Sequence, residues 1–356
     1  MPLIDEALGR AEAQRSQGDL MGAAATLDSV ASQDRARVMP LLQQCLNGLA
    51  VKEHGLVFRY IPAGSFVMGN TQGEPDESPA HRVTLPGFWM SEAPLSWDDF
   101  ARVLGWPAPP DHPTEEQLAL INETFEDPKH SRFTYYNDSK IRLQYCENDT
   151  LGARDWHAHD TQGLWTSQGR TMTSQELFGA PERASAAPYR FDQKPMVAVD
   201  WYLAEFVGRH MSTKTVQYRL PTEAEWERAA RGCFRGALYP WGDEPPDDTR
   251  ADFDHFGKFH LRPSRAFPPN DYFLYSMAGG VWEWCADHYD ASFYFRSPED
   301  SPLCVLGKEI PDRAHVLRGG SWADCGDVLR VSFRSAGTNG NSPNVGFRLV
   351  RVPGQP

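Results

Sequence analysis

The chain has 356 residues, 40% of them hydrophobic and 23% charged, a globular balance with room for one large or two ordinary domains. Eleven Trp, 28 Pro and 29 Gly interrupt regular structure too often for a helical bundle and imply a loop-rich body. Thirty-five basic against 48 acidic side chains leave a net charge of -13, which repels a phosphate backbone and argues against nucleic acid as a partner.

Residues 1–50 read as a helical arm. Leu3, Ala7, Leu8 and Ala11, then Leu20, Ala23, Ala24, Leu27 and Val30, fall at helical spacing, with Gly18-Asp19 as the turn. Two or three short amphipathic helices follow, and a single helical hairpin cannot bury its own apolar face, so the arm packs on the main body or on a partner. Asp5, Glu6, Arg10, Glu12 and Arg15 break the apolar pattern that a secretory signal needs. No uncharged apolar run reaches membrane-spanning length. The cysteines at 45, 146, 233, 285, 304 and 325 are scattered without a CxxC pair, which reads as reduced thiols in a cytoplasmic protein.

A single domain is expected from 51 to 356. Val57–Ile61 and Phe66–Met68 read as strands around a Pro62-Ala63-Gly64 turn, followed by strands at 81–85 and 88–90. Ser96 opens a helix at Trp97. Residues 106–190 are polar and aperiodic, with Tyr135, Tyr136, Trp156 and Trp165 to bury, and read as a folded insertion. Met196–Val199 reads as a strand and Asp200–Met211 as a helix. A second helix spans Glu223–Arg231, with Thr222 and Glu225 as a capping box.

Several stretches follow in order: FVMGN (66–70), ESPAHRVTL (77–85), PMVAVDWYLAEFV (195–207), YRLPTEAEWERAAR (218–231), YPWG (239–242), MAGGVWEWCADHY (277–289), VLRGGSW (316–322) and VGFRLV (345–350). Together they resemble the formylglycine-generating enzyme, or sulfatase-modifying-factor-like, family. The resemblance implies an α+β, C-type-lectin-like fold with little regular secondary structure. Arg219, Glu225, Trp226, Trp282 and Trp284 read as a buried framework of charge pairs and aromatics, with Arg318, Arg330, Arg334 and Arg348 bracing the terminal segment.

Family oxidases are similar to one another in a copper(I) site of two thiolates, the soft ligands that ion prefers. The resemblance places the first thiolate three residues after the serine of GGS and the second five further on. Here those positions hold Asp324 and Leu329, with Cys325 displaced by one. Neither Cys285 nor Cys304 stands in for the missing ligand. The ergothioneine-type sulfoxide synthases resemble this chain only in the lectin-like part; the short arm, with His54 nearby, lacks their iron-binding helices, and His157-x-His159 reads as a solvated pair. The resemblance also implies structural calcium, with Glu283 and Asp252 as the candidate ligands, although Gly280 replaces a ligating asparagine.

Between the RGGSW and GFRLV frames lies the expected ligand- or protein-binding face: Trp322, Ala323, Asp324, Cys325, Gly326, Asp327, Val328, Ser332, Phe333, Ser335, Ala336, Gly337, Asn339, Asn341 and Asn344. Small side chains there cost little entropy to order. The segment also resembles the rewritten C-terminal segment of diversity-generating retroelement variable proteins. The alternative is a divergent oxidase acting on a thiol, with Cys325 as its reactive group. Asp324 and Asp327 flank that thiol, and no basic neighbour in sequence lowers its pKa.

Overall fold

A computed structural model describes residues 2–105, 165–167, 170–172, 193–197, 199–255, 261–308, 313–338 and 344–354. Three helices lead: α1 (Pro2–Ser16), α2 (Leu20–Ala31) and α3 (Arg35–Gly48). Asp19 caps α2 by accepting from Gly22 N at 2.8 Å, and Asp34 caps α3 by accepting from Arg37 N at 3.3 Å. The apolar faces of these helices join the same core as the rest of the chain. Asp28 pairs with Arg228 and Arg35 makes a two-pronged bond to Asp271 at 2.7 and 2.8 Å. Trp89 Nε1 donates to Leu49 O at 2.8 Å. Of the two surfaces open to the arm, it takes the body.

Strands β1 (Val51–Glu53), β2 (Leu56–Ile61), β3 (Gly64–Met68), β4 (His81–Leu85) and β5 (Phe88–Ser91) come next, then α4 (Trp97–Leu104). The described part of the insertion is a two-stranded ladder, β6 (Trp165–Ser167) with β7 (Arg170–Met172). Helix α5 (Trp201–Met211), β8 (Val216–Arg219) and α6 (Glu223–Arg231) follow. The last strands are β9 (Trp282–His288), β10 (His315–Arg318), β11 (Ser335–Gly337), β12 (Val345–Gly346) and β13 (Val350–Pro353). One sheet runs β1-β2-β5-β13-β8, so the terminal strand is inserted between β5 and β8. The second runs β11-β10-β9-β12, antiparallel except for β12 against β9. The described residues at 195–197 and 199 differ from the expected strand: an isolated bridge joins Ser96 to Pro195, Met196 N donates to Leu95 O at 2.7 Å, Trp284 Nε1 donates to Val199 O at 2.7 Å, and Met196, Val197 and Val199 are buried. Continuous burial can suit an irregular chain as well as a strand. No helix among the described residues is long and apolar enough to cross a membrane.

Helix α6 organises the charges. The capping box is formed, with Thr222 Oγ1 accepting from Glu225 N at 3.1 Å and Glu225 Oε2 accepting from Thr222 N at 2.8 Å. Glu223 and Glu227, one turn apart, share a face, and Glu225 is rotated by ~200° from Glu223. The first face meets the C-terminal strands: Glu223 takes Arg334 at 2.6 and 2.9 Å, and Glu227 pairs with Arg318. On the other side, Glu225 takes Arg219 in a fork with both contacts at 2.7 Å. Arg318 further donates to Ser332 O at 2.7 Å and Val331 O at 2.8 Å, which fixes the course of 331–333.

Candidate functional site

The candidate site grows out of two glycine pairs. Gly319 and Gly320 have φ of 99° and 70°, and Gly279 and Gly280 both have 74°, the region where a side chain is strained. A Cβ on Gly279 would lie 2.4 Å from Asp252 O, so only glycine allows this approach. Gly279 N donates to Gly319 O at 2.9 Å, and Trp322 N to Gly280 O at 2.9 Å. The RGGSW turn is thereby locked against the AGGVWEW turn.

Ser321, fully buried, is the next hub. Asp324 accepts from Ser321 N at 3.0 Å and from Ser321 Oγ, while Asn344 Nδ2 donates to Ser321 Oγ at 3.0 Å. The Trp282 side chain also bonds Asp324. Burial pushes the Asp324 carboxyl above its usual value, and the bonds from Ser321 and Trp282 pull it partly back. Beyond it, a short 3-10 turn, Gly326–Leu329, carries the half-exposed Cys325 at its N-terminal edge, half-exposed Val328 and exposed Asp327.

The turn rests on a loop that sequence reasoning passed over as a contributor. A Cβ on Gly326 would stand 2.8 Å from the Pro246 ring and 3.6 Å from that of Phe253. Leu329, fully buried, packs with Tyr239, Ala251 and Ala278 in a small core of its own, with Trp241 and Phe253 against it. Asp254 N donates to Asp324 O at 2.8 Å and Val331 N to Leu238 O at 2.8 Å. The available signal was the YPWG motif at 239–242, whose aromatics stack at 5.4 Å. Beside this cluster lies a cavity of about 260 Å³ lined by Trp241, Phe234, Met277, Ala278 and the Pro268-Pro269 pair.

Measured against the expected face, the structure makes several corrections. Trp322, Ala323 and Ser332 are buried. Their backbone and side chains serve the frame, because RGGSW must turn inward to meet Gly280. Ser335, Ala336 and Gly337 form β11 on β10, and a Cβ on Gly337 would meet the Trp284 ring at 2.4 Å. Asn344 braces Ser321 and its carbonyl accepts from Trp282 N at 2.8 Å. Phe333, half-exposed, lies 6.1 Å from the Trp282 ring and carries Arg330 over its own. Asn339, Asn341, His157, His159 and Cys146 lie outside the described residues.

Among the described residues, the side chains expected to hold calcium or copper are otherwise engaged. Both oxygens of buried Glu283 face Arg348, at 2.6 and 2.7 Å, and Oε2 also accepts from Trp226 Nε1 at 2.7 Å. A guanidinium repels the calcium ion that the sequence assigned to this carboxylate. Asp252 instead accepts from Arg262 N at 3.2 Å and approaches His255 Nδ1 at 3.2 Å. Among the described residues, no three His, Cys, Asp or Glu side chains gather into a metal-holding group. At the two thiolate positions stand a hydrogen-bonded Asp324 and a buried Leu329, neither a soft ligand. Cys325 is a free thiol, and no hydrogen bond or ion pair among the described residues places a base on its sulfur.

Residues 54–353 match the sulfatase-modifying factor enzyme 1-like domain family. The chain is 29% identical over 311 residues to a formylglycine-generating enzyme of Streptomyces coelicolor, covering 82% of this chain and 87% of that one. It is 40% identical over 314 residues to a protein of Bos taurus named inactive C-alpha-formylglycine-generating enzyme 2, covering 83% and 88%. Among solved structures, variable protein 1 of Treponema denticola superposes with a TM-score of 0.53 at 18% identity over 83% of this chain and 94% of that one, a likeness of fold alone. The two curled sheets, few helices and long loops are the C-type-lectin-like fold of the formylglycine-generating type, and the chain belongs to the sulfatase-modifying factor enzyme 1-like family.

Proposed function

We propose that this chain is a binding member of its family that has given up copper chemistry, with its ligand- or protein-binding face at the 324–333 turn. One observation carries the reading. The frame around the turn is kept in the Gly319-Gly320 pair and the Glu283–Arg348 pair, with Gly280 in place of the asparagine the resemblance implies, yet the positions where it implies thiolates hold Asp324 and Leu329, each committed to local packing. A frame kept without its metal ligands suits presentation of a surface. The name of the Bos taurus relative, an inactive generating enzyme, points the same way.

The surface itself is small and adaptable: Cys325, Gly326, Asp327, Val328 and Phe333 are at least partly exposed. The 260 Å³ cavity shares Trp241 and Ala278 with the cluster under Leu329, and its wall sets these apolar residues beside Arg250 and the Arg35–Asp271 pair, a mixed notch for a ligand side chain. The same segment is the one a diversity-generating retroelement would rewrite.

Copper(I) titration with oxygen uptake on a cysteine-containing peptide tests the reading. No binding and no uptake are expected; turnover would overturn it in favour of a divergent oxidase. For the diversified form, a near-copy of the DNA encoding 318–350 beside a reverse-transcriptase gene is the expected finding. Its absence leaves a fixed binding domain.

A further inference from the structure

A second cavity, of about 620 Å³, lies where the arm meets the body, away from the 324–333 turn. Three separate segments line it: Asp28 of α2, the β3–β4 hairpin through Phe66, Val67 and Arg82, and the end of α6 with the turn after it, from Arg228 to Gly236. Four guanidinium groups, of Arg82, Arg228, Arg231 and Arg235, meet one carboxylate in its wall. With Glu227 on Arg231 and Glu299 on Arg82 counted as well, the group keeps about one positive charge in excess, in a chain of net charge -13.

We propose that this cavity binds a small organic anion, a carboxylate or phosphate carried on an aromatic or aliphatic body. Two of the arginines are already engaged behind the wall. Arg231 donates to Glu227 at 2.7 and 2.9 Å, to Ala237 O and to Gly69 O. Arg228 pairs with Asp28 and donates to Tyr272 Oη at 2.6 Å, but its Nε–H is buried without an acceptor. That N–H has almost no surface of its own, so Arg228 acts on an anion in the cavity through its charge and not through a direct bond.

The other two arginines are at the mouth. Arg82 pairs with Glu299 at 2.9 Å, yet both side chains are more than half exposed, at 68% and 56%, so water screens the pair and a buried anion outcompetes it. Arg235 is exposed and gives one N–H to Ser29 O at 2.9 Å, with no carboxylate on it among the described residues. Each retains donors for a planar anion. The C-terminal end of α6 does not cancel this field with bare carbonyls. Ala229 O and Ala230 O accept from Asn270 Nδ2 at 2.7 and 3.3 Å, and Gly232 O accepts from Arg228 at 3.2 Å.

The remaining wall is apolar. Phe66 and Phe234 are partly buried, and Val67 is exposed at the rim. The volume falls within the range of small-molecule sites. A polyanion meets the acidic remainder of the surface, whereas a compact anion meets only the cavity.

Isothermal titration of the full chain with phenyl phosphate, inorganic phosphate and benzyl alcohol tests the assignment. Phenyl phosphate is expected to bind roughly tenfold more tightly than inorganic phosphate, with benzyl alcohol weaker than both, since charge and apolar body each contribute about 1.4 kcal/mol per tenfold change. R82Q and R235Q are each expected to weaken phenyl phosphate about five- to tenfold, and thermal melting should be unchanged because both side chains are exposed. Absence of binding at millimolar phenyl phosphate overturns the proposal, as does unchanged binding in the R82Q/R235Q double variant. Neither outcome bears on the 324–333 turn, none of whose residues lines this cavity, and Phe234 is the one residue the two cavities share in their walls.

Discussion

Helix α6 and the 322–329 turn are both held by the C-terminal strands, and they use side chains in opposite ways. On α6 all three glutamates are buried and each is paired with an arginine that comes from a different part of the chain. On the turn, one carboxylate and one leucine fix the backbone from below, while Cys325, Gly326, Asp327 and Val328 keep at least part of their surface in water. Where secondary structure is sparse, buried charge pairs set the loops in place, and the residues between them are left free to vary.

The contrast is broken most severely at its charged end. Glu227→Ala removes the only carboxylate on Arg231 among the described residues and the nearer one on Arg318, which keeps Glu223 at 3.8 Å, so buried positive charge is left poorly compensated. A loss of about 3–5 kcal/mol in denaturant stability is expected. Leu329→Ala attacks the one apolar anchor under the turn and should cost about 2–4 kcal/mol, with the lost volume opening beside Tyr239 and Ala278. A cost as large as that of Glu227→Ala would mean that the turn is as deeply built into the fold as α6.

A smaller effect follows from pH. Burial raises the Asp200 carboxyl to about 6, and burial with the nearby Glu223 charge raises Asp287 to about 7, from a value of 3.8. Between about pH 4 and 7 the unfolded chain therefore holds fewer protons at these sites than the folded one, and their contribution to stability falls as pH rises. Asp290, held down to about 2 by Arg296 and Ser292, acts in the other direction only in stronger acid. The melting temperature is expected to be higher near pH 5 than near pH 7.5. Asp200→Asn should narrow that gap, because asparagine caps α5 comparably without a buried charge. The smallest effect belongs to Cys325→Ser. At a half-exposed thiol with no hydrogen-bond or ion-pair partner among the described residues, stability should change by less than about 0.5 kcal/mol, measured by the same denaturant titration.

Much of the scaffold was legible because its signals are local. Thr222 and Glu225 stand three residues apart, so the capping box can be read directly, and it is formed. The alternating burial of β2 and the turn before β3 are equally local. The face was legible only in part. Trp322 and Ala323 sit between recognisable frames, and nothing in their own spacing says that the chain turns inward there to reach Gly280. Ser335–Gly337 looks like loop composition, yet a ladder to His315–Leu317 makes it a strand, since pairing with a neighbour overrides weak propensity. Glu283 resembles a calcium ligand until Arg348, 65 positions away, is seen against both of its oxygens.

By itself, the sequence determined where helices start, which motifs frame the body, that the chain is acidic, and that Asp and Leu stand at 324 and 329. Tertiary structure alone decided which carboxylate meets which arginine, as with Glu223 and Arg334 across 111 positions. It also decided that the arm docks on the body, that the 239–253 loop backs the turn, and that four arginines of an acidic chain share one cavity. The reason is one of range. Caps, turns and motif identities depend on atoms a few residues apart, whereas burial and charge pairing depend on what the rest of the chain brings alongside.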